Sequence, residues 1–205
     1  MADIPDILAM PISELRQRIE AELRENPVLD FQESPTSRDA ADAPVVGVLR
    51  PLTIFREPDE PPGGEVEETT PDLVAIRSQD GVWEARVPAD ETRNIVISRR
   101  MSDLHRDPAV AKPTREFLAR KLGNAKQLLK AMERRREIIE KLGSAILRRQ
   151  QAFHEHGLHR IVPLKLELLA DEIGVDRSTL QLALREKQIG TPHGVVPLDW
   201  FVARP

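Results

Sequence analysis

The sequence contains no cysteine. That excludes a disulfide scaffold, thiol catalysis and thiolate metal sites, and it fits a reducing cytoplasm. Aromatic residues make up only 3% of the chain, so aliphatic side chains must do most of the packing. No apolar run approaches the roughly 20 residues that a membrane-spanning helix needs. The acidic N-terminus does not resemble a signal peptide. There is no Gly-rich phosphate loop, no GxSxG and no HExxH, so neither an enzyme nor a cofactor is expected.

What remains is a 205-residue chain, 40% hydrophobic and 31% charged, suited to one or two soluble domains with a modest core. Its net charge of −4 hides a gradient. Residues 1–70 carry 16 acidic and 6 basic side chains, residues 71–112 carry 7 of each, and residues 113–205 carry 11 acidic and 17 basic. An acidic arm ahead of a basic C-terminal half suits a nucleic-acid binder that also has a protein partner, although such an excess is also ordinary for a solvated helical surface.

Taken in order, the chain opens with an amphipathic pattern. Ile12, Leu15, Ile19 and Leu23 recur at spacings of three and four, which predicts a helix over residues 12–25. Ser13 is a candidate cap, and Asn26-Pro27 stops the helix. At this length it is marginal in water and needs a surface to lie on. Residues 32–71 are Pro-rich, acidic and poor in apolar residues, which predicts a flexible linker with one weak apolar island at Val45–Phe55. Residues 73–87 read as a β-hairpin around Asp80-Gly81 that packs on the helices after it, with Ile95–Ile97 as a possible third strand. Residues 114–153 carry two apolar stripes separated by Arg134-Arg135-Arg136, which suits two helices folded together or one long helix with a joint near 134–137. His154, His156 and His159 follow. Their i, i+2 spacing does not put two metal ligands on one helix face, so a solvated helix end is expected and no metal.

The stretch Leu166–Glu186 organises the rest. Leu169 and Ile173 share a helix face, Ala170 is a small residue at a crossing, and Gly174 breaks the helix where a tight turn needs it. Asp176 or Ser178 can cap a second helix with Leu180 and Leu184 as its apolar stripe. This pattern predicts a helix-turn-helix, with an ordinary helical hairpin as the bland alternative. Its second helix presents Arg177, Ser178, Thr179, Gln181 and Arg185 outward, with Lys187 just beyond, side chains suited to phosphates and base edges. The turn-rich segment after it, Gly190 to Phe201, is expected to fold back and cover the pair with Trp200 and Phe201.

Several stretches together resemble the sigma-54 (nitrogen-type) family of bacterial RNA polymerase sigma factors. ISELRQRIEAELRENPVLDF resembles the end of the family's activator-responsive N-terminal region, with its ENPxL close. The hairpin followed by RRMSDL resembles the start of its core-binding domain. EFLARKLGNAKQLLKAMERRREIIEKLGSAILRRQQAFHEHG, residues 116–157, resembles its long-helix region. VPLKLELLADEIGVDRSTLQLALREKQIGTPHGVVPLDWF, residues 162–201, resembles its helix-turn-helix and the TPxG segment behind it. Asp176 and Arg177 stand where the family often has His-Glu. Family members also continue beyond the position of Pro205 into a C-terminal domain that reads the upstream promoter element.

The resemblance implies binding to core RNA polymerase and promoter DNA, and remodelling by an ATP-dependent activator. It also implies a non-catalytic role, in the cytoplasm. On that footing the expected fold is mainly α. An N-terminal activator-responsive helix (1–31) and an acidic linker (32–71) precede a small β-hairpin packed on a helical core-binding domain (72–157) and a helix-turn-helix domain (158–205). Arg134, Arg135, Arg136, Arg148 and Arg149 are candidate core-polymerase contacts, and Arg177, Ser178, Thr179, Gln181, Arg185 and Lys187 candidate DNA contacts. Two alternatives stand beside this: a truncated regulator that occupies core polymerase as a decoy, and a free-standing DNA-binding dimer.

Overall fold

The computed structural model describes residues 4–31, 70–88 and 94–203. The expected flexible linker falls almost wholly outside them, as does the Val45–Phe55 island. In chain order the elements are helices α1 (Ile4–Ala9) and α2 (Ile12–Glu25), strands β1 (Leu29–Phe31), β2 (Leu73–Arg77), β3 (Trp83–Arg86) and β4 (Ile95–Ile97), helices α3 (Arg99–Arg106), α4 (Lys112–Arg148), α5 (Gln151–His156), α6 (Leu166–Ile173) and α7 (Arg177–Leu184), and strands β5 (Gln188–Thr191) and β6 (Gly194–Pro197). Short 3-10 turns at Leu158–Arg160 and Leu198–Phe201 complete the chain. The fold is mainly helical, as the sequence predicts.

The 37-residue helix α4 is the spine, about 55 Å long at 1.5 Å per residue. Its two apolar stripes serve two separate cores. Leu118, Leu122, Ala125, Leu128 and Ala131 pack with Ile7, Ile12, Leu15, Ile19, Val28 and Ile95. Ile138, Ile139, Leu142, Ala145 and Ile146 pack with Leu73, Ala85, Leu169, Leu180, Ile189, Phe153 and Phe201. The early helix α2 thereby finds the surface it needs. Its start is held by Pro11, with no side-chain cap, and Ser13 does not take that role. The helix also runs unbroken through residues 134–137, where a joint was one of the two sequence readings. Its end comes at Arg149, after which α5 turns away.

The hairpin forms around Asp80-Gly81, with Gly81 at φ +78° and Val74–Arg77 paired with Arg86–Trp83. It packs on α4, as expected. The exposed edge of β3 is closed by that helix: Ala85 N donates to Ser144 Oγ (2.9 Å) and Val87 N to Glu140 Oε1 (3.0 Å). Ile95–Ile97 does not extend this sheet. It pairs antiparallel with β1 instead, Leu29 opposite Ile97, because Ile95 and Leu29 belong to the core on the other half of α4.

The hairpin sheet gains its further strands from the C-terminal segment. Its order is β3-β2-β5-β6, with β2 and β5 parallel (Leu73 opposite Ile189) and β5 and β6 antiparallel. The sheet therefore joins chain on both sides of residue 158. The turn between β5 and β6 explains the TPxG motif. Thr191 Oγ1 donates to the Gly194 carbonyl (2.8 Å) and accepts from His193 N (3.2 Å), and Gly194 adopts φ +116°. Of the aromatic pair expected as a cover, only Phe201 is buried, edge-on to Phe153 at 5.3 Å between ring centres. Trp200 stays exposed at the surface.

The two glycines of α4 predict opposite behaviour. A Cβ at Gly143 would stand 2.9 Å from Leu73 Cδ1 and closer still to the Ala85 methyl, whereas one at Gly123 meets nothing within 4 Å. Helix propensity favours Ala over Gly by roughly 1 kcal/mol, and overpacking costs roughly 1–3 kcal/mol. Gly123→Ala should raise the thermal midpoint and Gly143→Ala should lower it. A rise for Gly143→Ala would mean that β3 does not rest on α4 there.

Candidate nucleic-acid interface

The helix-turn-helix forms as its sequence dictates. Helix α6 ends at Gly174, which adopts the left-handed conformation (φ +74°, ψ +40°) and returns its N–H to the Ala170 carbonyl at 2.9 Å. Ala170 is buried beneath the turn, and Leu180, Ala183 and Leu184 bury the inner face of α7. Asp176, not Ser178, caps that helix. Its carboxylate accepts from Thr179 N (2.9 Å), Thr179 Oγ1 (2.6 Å) and the Ser178 hydroxyl. These hydrogen bonds, Ser178's foremost, hold the Asp176 carboxyl well below the usual carboxylate range, so the cap is charged at any ordinary pH.

Arg177, Ser178, Gln181 and Arg185 are exposed on the outer face, and Thr179 is half-buried. Arg177, Gln181 and Arg185 border an open groove of about 740 Å³ between α7, the start of α6 and the C-terminal residues Val202 and Ala203, and Ser178 and Thr179 lie outside it. Acidic neighbours temper its charge: Glu167 pairs with Arg177 at 3.1 Å, and Asp199 lines the same groove. A phosphate arriving at Arg177 would exchange for Glu167, and exposed pairs of this kind contribute little.

Lys187 is different. Only 1% of it is exposed. Its Nζ donates to the carbonyls of Ala9 (2.8 Å) and Arg185 (3.1 Å), so it lies beneath α1 and not on the exposed outer face of α7. Sequence reasoning missed the reason: α1 carried no signal strong enough to be predicted, yet Ile7 and Leu8 are fully buried, one in each core.

The arginines assigned to core polymerase also divide. Arg134 and Arg136 are exposed, Arg134 pairing with Glu137 at 2.8 Å. Arg135 is buried. Its guanidinium donates to Asp72 Oδ1 (2.8 Å) and the Met10 carbonyl (3.1 Å), which removes it from the outer surface. Arg148 and Arg149 both engage Glu172 and hold the end of α4 against α6. Neither Asp72 nor Glu172 stands out in the sequence, because each matters only through a partner far along the chain.

The histidines do not form one solvated cluster. His156 and His159 are exposed, but His154 is half-buried and stacks on Trp83, rings 4.4 Å apart and 10° from parallel. Burial lowers its pKa, against the opposing pull of its contact with the Leu147 carbonyl. Among the described residues no group of three or more metal-ligating side chains converges.

The geometry is that of a helix-turn-helix unit mounted on a long helix, with short N-terminal helices docked on its side. Comparison with known proteins gives the same division. Residues 6–31 match the sigma-54 factor activator interacting domain, and residues 115–204 match the sigma-54 DNA binding domain. The second match takes in α4, which the sequence-based partition assigns to a core-binding unit. The chain is 30% identical over 139 residues to the RNA polymerase sigma-54 factor of Azorhizobium caulinodans, covering 68% of this chain and 27% of that protein. It is 31% identical over 162 residues to that of Xanthomonas euvesicatoria, covering 76% and 33%. For Escherichia coli strain K12 the figure is 26% over 138 residues, covering 67% and 28%. The chain belongs to the sigma-54 family, and it spans about a third or less of the length of these relatives.

The buried lysine generates a pH prediction. Burial, with Arg135 adding its repulsion, lowers the Lys187 pKa from 10.5 to about 8, while Asp72, Glu186 and Glu14 pull the other way. A lysine depressed in the folded state binds fewer protons there than when unfolded. Its contribution to stability therefore rises with pH between about 8 and 10.5 and is flat below that window. The chain has no Cys and no Tyr to crowd this range. Stability measured by urea denaturation should rise from pH 8 to 10 in the native chain relative to Lys187→Met. Parallel profiles for the two would mean that the ammonium is not desolvated.

Proposed function

We propose that this chain is a sigma-54-type transcription initiation factor, or part of one, that meets promoter DNA through the outer face of α7. Arg177, Ser178, Gln181 and Arg185 make the contacts there, with Thr179 divided between DNA and its cap. Arg134, Arg136, Arg148 and Arg149, exposed along the second half of α4 and at its C-terminal end, are the candidate contacts to core RNA polymerase. Helices α1 and α2 form the surface that answers to an ATP-dependent activator. The chain supplies no catalytic group of its own; nucleotidyl transfer belongs to the polymerase, in the cytoplasm.

The observation that carries this reading is the exposed polar row on α7, fixed to the end of α4 by a charged cap, a left-handed glycine turn and the Glu172 ion pairs. Such a mounting gives a recognition helix a defined angle with no dimer partner. A monomer lacking a second DNA contact binds weakly, and backbone contacts dominate its affinity.

Binding of the full chain to a nitrogen-type promoter duplex tests the reading, with and without core polymerase. Core polymerase should join the complex and tighten it. Arg177→Ala and Arg185→Ala should each weaken binding and flatten the plot of log affinity against log salt by about one phosphate contact, a slope change of roughly 0.9. An unaltered slope in both variants would remove α7 from the interface. Failure of the chain to bind core polymerase at moderate salt would overturn the polymerase assignment.

A further inference from the structure

Asp72 lies at one end of the four-stranded sheet, and a cluster of rings lies at the other, where Trp83 stands opposite Arg77 and β5 runs on into its turn. Phe153 of α5 is fully buried there. It is edge-on to Phe201 and to His193, each at 5.3 Å between ring centres. His154, next in the chain, stacks on Trp83 of β3. Its Nε2 lies 2.9 Å from the Leu147 carbonyl near the end of α4. His193, in the turn between β5 and β6, places its own Nε2 3.0 Å from the His154 carbonyl. A carbonyl only accepts, so both Nε2 atoms carry hydrogen. The two imidazoles thus join α5 to α4, to the hairpin and to the TPxG turn.

The arrangement holds on one condition. Although the His154 ring as a whole is half-buried, its Nδ1 is buried and has no hydrogen-bond partner among the described residues. In the neutral ring that atom bears a lone pair, and the site tolerates it. A second proton would place an N–H there with no acceptor, and a charge out of water. Stacking on Trp83 accepts either charge state, so Nδ1 decides. The charged side chains around the ring are Arg77 of β2, Arg148 at the end of α4 and Glu155 of α5, which line a cavity of about 390 Å³ with it, and His193 faces it from the turn. Glu155 accepts from Gln151 Nε2 (3.2 Å) and does not reach Nδ1. Burial lowers the His154 pKa, with His193 and Arg77 adding repulsion against the pull of the Leu147 carbonyl.

We propose that His154 is an acid-sensitive latch: a proton on Nδ1 breaks the neutral packing, and α5 and the turn at residues 191–194 then come away from the hairpin. The opening is local. At the other end of the sheet Asp72 keeps its ion pair with Arg135. The approach to α6 stays pinned to α4 by Gln150, whose amide exchanges two hydrogen bonds with the Val162 backbone (2.6 and 3.0 Å) and does not titrate. The helix-turn-helix therefore keeps its mounting while the ring cluster loosens. An opened ring takes up a proton with the ordinary imidazole pKa of 6.5, so the latch holds above that pH and weakens as the pH falls below it.

Amide exchange on the full chain at about pH 7.5 and about pH 5.5 tests this, read as protection factors so that the intrinsic pH dependence of exchange cancels. Protection at residues 151–157 and 191–194 should fall by up to about tenfold, the limit for one proton taken up one unit below an ordinary imidazole pKa. Protection at residues 138–146 should stay constant. His154→Phe keeps a ring against Trp83, cannot take up a proton, and should abolish the fall. An equal fall in His154→Phe, or constant protection in the native chain, would overturn the proposal. If His154→Phe does not fold, the ring resonances of the native chain decide. The His154 signals should titrate in step with the loss of protection, and a loss of protection without that titration would also overturn it.

Discussion

The fold depends on a buried polar knot at the middle of α4. Asp72 receives Arg135 on one carboxylate oxygen (2.8 Å) and the Gln188 backbone N–H on the other (3.2 Å). Arg135 and Lys187 then reach the carbonyls of Met10 and Ala9. One set of hydrogen bonds thereby ties four stretches of chain: the end of α1, the approach to β2, the centre of α4 and the start of β5. Buried charges are expensive and weak evidence for stability, but removing one partner leaves the others stranded. Their effect here is to set register. The parallel pairing of β2 with β5 begins beside Asp72, and the carbonyls of Ala9 and Met10 fix the end of α1 against Lys187 and Arg135.

That knot also separates the two cores. The apolar stripe of α4 is interrupted at Arg134-Arg135-Arg136, and interruption of this kind ordinarily marks a joint. Here the helix continues, because Arg135 turns inward to a carboxylate while Arg134 and Arg136 stay in solvent. Continuity of α4 places the N-terminal helices and α7 on one rod. The first half of the helix holds α2, the second half holds the sheet and the helix-turn-helix, and α1 touches both.

At α7 the structure favours rigidity over charge. Asp176, Ser178 and Thr179 spend their polar groups on one another, and Arg177 has a carboxylate neighbour. The positive charge that α7 presents free of acidic neighbours is therefore modest.

Local patterns determined much of this protein. The period of three and four over residues 12–25, the stop at Asn26-Pro27, the Asp80-Gly81 hairpin, the Gly174 break and a cap at Asp176 or Ser178 were all legible, because each is decided by residues within one or two turns of the chain. The outer row of α7 was legible for the same reason. What no local pattern could decide was which surface each element finds. Ile95–Ile97 could serve either core, and joined β1. Lys187 and Arg135 read as exposed cations because sequence shows charge but not cover, and their burial depends on carbonyls and a carboxylate brought from more than 60 residues away. Burial of a charge is a property of the assembled molecule, since only tertiary packing supplies the partners that make it tolerable.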